Sequence, residues 1–440
     1  MSTYREVLST ADFCTWQCPK NSTTYSQIPG AKHDCFIFQE KVRNSYSWNH
    51  FSIQKTDFQP AHAEEKLQIP LNRLADDLLE LQTTGFSFQG ETWHIACLGV
   101  KGDQPFLRTA GGFIRHWQRA VRVEKDNANP PGVCWLCLAG TRPGGPFEDF
   151  NMNAQWANVP TVVPWVVTPS LLKLFHCPDH PHDYFKTDVW HNYHGGAGRS
   201  FIASVLAECL TLLDGSVADK ISQLDSLLHV WAKRPDCKLP HSGPFTAERI
   251  GLTSLQVLPE GTWSKFADTY VYHKFVEWFL SERLDKVRAD PILLMSWEAV
   301  CIINKTFTIL YTSGLWLTSH EARAAGEGGR KWLALYARLA HTCFLERRLR
   351  FPVYVKFHML DHSWRRLLAG SRNQWTLNIL CESVQADEES IFDIGYFFYF
   401  SGNTFPCFFK ITSQAYVLPA CRCHDLSGLR WQMLQSKQED

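Results

Sequence analysis

The segment GVCWLCLAG places Cys134 and Cys137 at CxxC spacing between a Pro-Pro pair and a glycine. Two thiolates so spaced can take two corners of a zinc tetrahedron, and a closed structural site needs two further ligands. No second CxxC lies nearby. KFHMLDH supplies His358 and His362, an i, i+4 pair that one helix face can present to a single ion. TDVWHNYH offers His191 and His194, with Asp188 three residues before the first, and FHCPDHPHD adds His176, Cys177, His180 and His182 in a proline-interrupted loop. Spacing alone does not choose among these partners. Two metal-free readings stand beside zinc. The cysteines could be buried small side chains, as free cysteines often are. They could also be a redox dithiol, although no thioredoxin-like βαβ text surrounds them.

The carboxylates point to a second chemistry. Asp103 in KGDQPFLR directly follows an apolar run, Asp188 lies in FKTDVWH, and Glu388 lies in QADEES. Acids converging from distant parts of a chain can hold the two divalent cations that cut phosphodiesters, and hard oxygen ligands suit Mg2+ or Mn2+. Taken singly, such acids are more often caps or turn residues. Asp188 with His191 and His194 could instead hold a hydrolytic zinc with one position open to water. HGGAGRSF, 194 to 201, is a weak anion-site signal; a tight helix entry with Arg199 exposed accounts for it as well. Basic and aromatic residues interleave in RHWQRAVR, ERRLRF and HSWRRLLAGSR, a composition that suits phosphate contact and base stacking but also an ordinary solvated helix face.

The elements that must position these residues are partly legible. CFIFQEKV and SWNHFSIQKT, between 35 and 58, read as short strands. LNRLADDLLEL spaces Leu71, Leu74, Leu78 and Leu81 as an amphipathic helix, and WHIACLGV reads as a buried strand. A first part, 1–138, is therefore mixed α/β and carries the CxxC. Residues 139–199 form an irregular connection rich in Pro, Gly and Trp. Helix follows helix through 200–350, with GEGG at 326–329 expected as a turn before the last one. Residues 351–391 return to the mixed part, and 392–440 are aromatic, strand-like text.

Composition bounds the function. Lys plus Arg and Asp plus Glu are 44 each, so no global positive field announces nucleic acid, and any such contact must be local. The odd count of 15 cysteines, without scaffold spacing, implies a reducing compartment. MSTYREVLSTADFCTW lacks the basic and apolar regions of a secretory signal, so the expectation is an intracellular, non-secreted chain. The longest apolar run, PILLMSWEAVCIINKTFTILYTSGLWL, contains Glu298, Asn304 and Lys305, which argues against a membrane span.

The order GDQPFLRTAGGF, CWLC, DVWHNYHGGAGRSF, WSKFADT, KFHMLDH and LNILCESVQADEES resembles a multi-copy family of protist proteins over about 90 to 391. More distantly, it is similar to cut-and-paste transposases of the CACTA and Plavaka kind. That resemblance implies an α/β, RNase H-like mixed core interrupted by a large all-helical insertion. It also implies Asp103 as a metal-binding acid, Cys134 and Cys137 with His358 and His362 as a zinc clamp across the insertion, and Glu388 as the last catalytic acid. DNA would be the partner and the nucleus the location, with self-association into a homo-oligomer left open. Two departures bear on activity. Neither Asp12 nor Asp34 makes a convincing first acid, and the text after Ile391 does not continue the family's basic helix.

Overall fold

The computed structural model describes residues 36–37, 63–88, 90–120, 131–252, 257–385 and 413–419. Helices dominate the described residues and strands are few and short, so the α/β balance expected from the sequence is not what they show. The reason lies in the strand-like text. Of 35–58 only β1, Phe36–Ile37, is described, and of 392–440 only β6, Ser413–Pro419.

Four strands make one sheet in the order β1-β6-β3-β2, with β2 at Phe86–Phe88 and β3 at Glu91–Val100. All its neighbours run antiparallel, with Phe86 opposite Trp93 and Ile95 opposite Val417. The register slips between Cys97 and Val100, and there a parallel bridge joins Val100 to Phe185. Gly99 makes that approach possible, since a Cβ on it would strike the Tyr184 carbonyl and the Lys186 side chain. Between β1 and β2, α1, Ala63–Thr83, buries Leu67, Leu71 and Ala75; of the leucines whose spacing predicts the helix, Leu71 is buried and Leu74, Leu78 and Leu81 are half-buried. After β3 the chain turns into α2, Gln104–Gly111, and then the irregular connection.

The helical part contains α3 (Gly198–Cys209), α4 (Val217–Trp231), α5 (Ala267–Ser281), α6 (Leu284–Ala289), α7 (Pro291–Thr312) and α8 (Ser319–Leu345). Asp290 caps α7 ahead of Pro291, and Thr318 with Glu321 forms a capping box on α8, satisfying amides that the first turn leaves unpaired. α7 is long and apolar enough to cross a membrane by length and composition; here half of its most apolar window is buried in the protein. GEGG is not a turn. Gly326, Gly328 and Gly329 lie inside α8, where a Cβ would meet Leu368 and Trp364 of the next helix or Thr306 of α7. Close helix approach outweighs the weak helix preference of glycine.

That next helix, α9 at Val355–Gly370, leads to β5, Trp375–Leu377, which pairs antiparallel with β4, Trp316–Thr318. α9 is the wall between two apolar cores. Phe357, Leu360, Trp364 and Leu367 join the large helical core, while Val355 and Met359 join a smaller one built from α1, β3, α2 and the irregular connection. Every fully buried Phe or Leu contributes roughly 1.5–3 kcal/mol relative to exposure, so residues facing either way on one helix fasten both cores to it.

Candidate metal centre

Cys134 and Cys137 reach the smaller core on a tight turn, the first fully buried and the second nearly so. The amide of Leu136 donates to Cys134 Sγ and that of Ala139 to Cys137 Sγ, each at 3.3 Å. Amide donors aimed at both sulfurs stabilise negative charge there. Opposite them α9 presents His358, fully buried, and His362, half-buried one turn later.

The four donor atoms converge. Cys137 Sγ lies 3.2 Å from His358 Nε2 and 3.4 Å from His362 Nε2, Cys134 Sγ lies 3.5 Å from His362 Nε2, and the two imidazole nitrogens are 3.1 Å apart. A regular tetrahedron with Zn–S near 2.3 Å and Zn–N near 2.05 Å has edges of about 3.6 Å for S···N and about 3.3 Å for N···N. The observed edges match within a few tenths of an ångström. This buried Cys2His2 cluster can hold a metal such as zinc, and it is the one group of its kind among the described residues.

The electrostatics prepare it. Burial pushes the Cys134 thiol up, but the hydrogen bond with Cys137 and the neighbouring His362 and His358 outweigh burial and leave it well below the ordinary thiol value. Burial and the adjacent Cys134 charge hold Cys137 well above that value. Arg115, itself buried, donates from Nε to the Cys134 carbonyl at 3.1 Å and places a positive charge beside both sulfurs. Over the other side of the cluster lies Trp156, its ring 4.4 Å from His358 edge-on and 5.0 Å from His362. His358 Nδ1 is buried with no hydrogen-bond partner, so packing against Trp156 orients this ring rather than the usual outer acceptor.

His191 and His194 do not share a site. Asp188 is buried, and its two oxygens accept from the amides of Trp190, Val384 and His191 and from His191 Nδ1 at 2.5 Å, so it acts as a cap and a histidine anchor. His194 turns inward to Tyr311 at 3.1 Å, and burial pushes its pKa down to about 3. The reason is the backbone between them. Trp190–Ala197 is a π-helical turn broken at Gly196 that runs straight into α3 at Gly198, and its greater number of residues per turn sends the two rings apart. Arg199, expected exposed, is half-buried, with its Nε buried and unpartnered.

Asp103 follows β3 as expected and caps α2, accepting from the Phe106 amide at 2.8 Å. Asp103 and Asp188 each stand three residues past the isolated parallel bridge between Val100 and Phe185, Asp103 at the end of β3 and Asp188 in irregular chain. Lys356 of α9 lies near both. Burial and Arg199 lower its pKa while Asp188 and Asp103 raise it, with a result of about 8. Its Nζ donates to the Gly195 carbonyl at 3.3 Å. Glu388 lies outside the described residues.

The basic segments are largely spent on internal partners. Arg115 donates to the Val162 carbonyl at 2.5 Å, Arg348 and Arg350 pair with the buried Glu208, Arg365 pairs with Asp361, and Arg366 pairs with Glu382. Trp364 is fully buried in the helical core. Sequence reasoning missed Trp156, Arg115 and Asp361. Asp361 was visible inside KFHMLDH, one residue before His362, whereas nothing in the text around Trp156 sets it apart from other tryptophans. No family model, curated protein or solved structure matches the chain.

Proposed function

We propose that this chain is a transposase-derived, zinc-stabilised nucleic-acid-binding protein whose ancestral Mg2+-dependent strand cleavage is silent in this copy. The observation that carries the reading is the convergence of CxxC and HxxxH from either side of the helical segment, the pairing that the transposase resemblance implies. An RNase H-like core belongs to the same reading, with Asp103 and Asp188 each three residues beyond the Val100–Phe185 bridge as its candidate acids. Cys134, Cys137, His358 and His362 would hold one zinc ion. With four protein ligands the metal has no open position, so its role is structural.

Silence rests on Asp188. Both its oxygens are occupied by protein donors, and the Lys356 ammonium contributes positive charge beside Asp188 and Asp103. A carboxylate so engaged has little left to offer Mg2+ or Mn2+. DNA contact would fall to the exposed Arg119, Arg347 and Arg372, and nuclear residence follows from this reading. The competing reading, an active nuclease, draws on the same pair of acids with Glu388 as the third.

One preparation tests both. The purified chain should hold one zinc, lost along with thermal stability in Cys134→Ser and in His358→Ala. It should bind duplex DNA with an affinity that falls steeply with salt, and nick none in Mg2+ or Mn2+. Zinc-free wild-type protein or salt-independent DNA binding defeats the proposal. Nicking that disappears in Asp103→Asn or Glu388→Gln restores the enzyme reading.

A further inference from the structure

Asp361 is fully buried one residue before His362 and pairs with two arginines, Arg330 of α8 and Arg365 one turn along α9. Both arginines reach on to the same stretch of irregular chain. Arg330 Nη2 donates to the Phe150 carbonyl at 2.7 Å, and Arg365 donates to the Met152 carbonyl at 3.0 Å and to that of Asn151. The Arg365 guanidinium also lies 4.6 Å from the centre of the Trp156 ring, and Trp156 covers both imidazoles of the Cys2His2 cluster. Trp156 Nε1 closes the stretch on itself by donating to the Asp149 carbonyl at 2.9 Å. Two arginines that share the buried Asp361 carboxylate thus also hold three carbonyls and one indole of the irregular chain, beside a metal ligand.

We infer that residues 149–158 form a strap, locked by Asp361 through Arg365 and Arg330, that gates metal exchange at the Cys2His2 centre. The inference rests on that centre being metal-loaded. Three of its four ligands are buried, and His362 is the partly exposed one. Trp156 lies against His362 as well as His358, so an ion leaving by that side must displace the indole. Displacing the indole means breaking its stack on Arg365. The strap makes none of the four metal–ligand bonds. It therefore controls how fast metal leaves more than which atoms hold it.

The test uses the full chain loaded with Zn2+ and, in parallel, with Co2+. Zinc transfer to a coloured chelator is timed for wild type, Trp156→Ala, Arg365→Gln and Trp156→Phe. Arg365→Gln removes the stack without opening a hole in the core, so it remains informative if Trp156→Ala does not fold. Expected is release about tenfold faster or more in Trp156→Ala and Arg365→Gln, a scale typical of outer-shell partners. The Co2+ absorption and one-metal stoichiometry should stay unchanged, and Trp156→Phe should restore slow release. Equal rates in wild type and Arg365→Gln overturn the gate and leave the zinc reading intact. Faster release with an altered Co2+ spectrum also overturns it, because the strap would then be shaping the ligand set. A wild type that binds no metal removes the zinc reading and the gate together.

Discussion

At the residue scale, Asp361 and the buried histidines are where single groups matter most. Asp361→Asn leaves Arg330 and Arg365 without their shared counter-charge, and breaking one partner of a buried ion pair typically costs about 3–5 kcal/mol. Urea unfolding should report a loss of that size, and a loss no larger than that of a surface Asp→Asn control would contradict the pairing. His194 and His273 are held neutral, burial pushing each to about 3 from an ordinary 6.5. Between those values the unfolded chain binds more protons than the folded one, so their contribution is complete above about pH 6.5 and is lost as pH falls toward 3. His273→Gln, compared with wild type at equal zinc loading, should flatten the decline in stability between pH 7 and pH 5. An unchanged slope would absolve His273. The metal ligands were legible as residue types, since CxxC and an i, i+4 histidine pair carry their own spacing logic. Spacing alone did not choose His358 and His362 over His191 and His194; the family resemblance did, and the cluster bears it out, while a π-helical turn that no periodicity announces parts His191 from His194.

At the element scale, α8 and α9 owe their contact to missing side chains. Alanine at Gly329 would gain about 1 kcal/mol of helix propensity, but its Cβ strikes the Trp364 ring, and overpacking a filled core costs about 1–3 kcal/mol. The clash should win, lowering the thermal midpoint of Gly329→Ala. Gly328→Ala meets the side-chain oxygen of Thr306 and should lose less. Equal or higher midpoints for Gly329→Ala would mean that the helices can part without cost. The same glycines explain why GEGG misled, since local propensity favours a turn and only a neighbour distant in sequence, Trp364, explains a helix. Leucine spacing located α1 because one face of that helix carries its whole message. The bridge between Val100 and Phe185 had no such signature. It joins residues far apart in the chain, and the glycine that permits it, Gly99, looks like any strand end.

At the scale of the whole molecule, α9 joins the two cores, and the Cys2His2 cluster ties the CxxC turn to it. The metal-loaded protein should unfold in a single calorimetric transition. Chelation should split it, the smaller core around Cys134 and Trp156 melting first while the helical core persists. One undivided transition after complete chelation would show that packing across α9 suffices by itself. The division into a mixed part, an irregular connection and a helical run was legible from changes in pattern along the chain. That one helix serves both cores was not, since alternate faces of α9 are apolar for different partners. The span across the cluster also has a meaning during synthesis. Cys137 and His358 are 221 positions apart, and at about 5–20 residues per second a ribosome needs roughly ten to forty seconds to cross that distance. Through that interval the thiolates have left the ribosome and the imidazoles do not yet exist. A two-sulfur grip is incomplete, and copper outcompetes zinc for such donors. A metal that meets the nascent chain in that interval finds only the two sulfurs, so the four-donor set that suits zinc is complete only once α9 has been made.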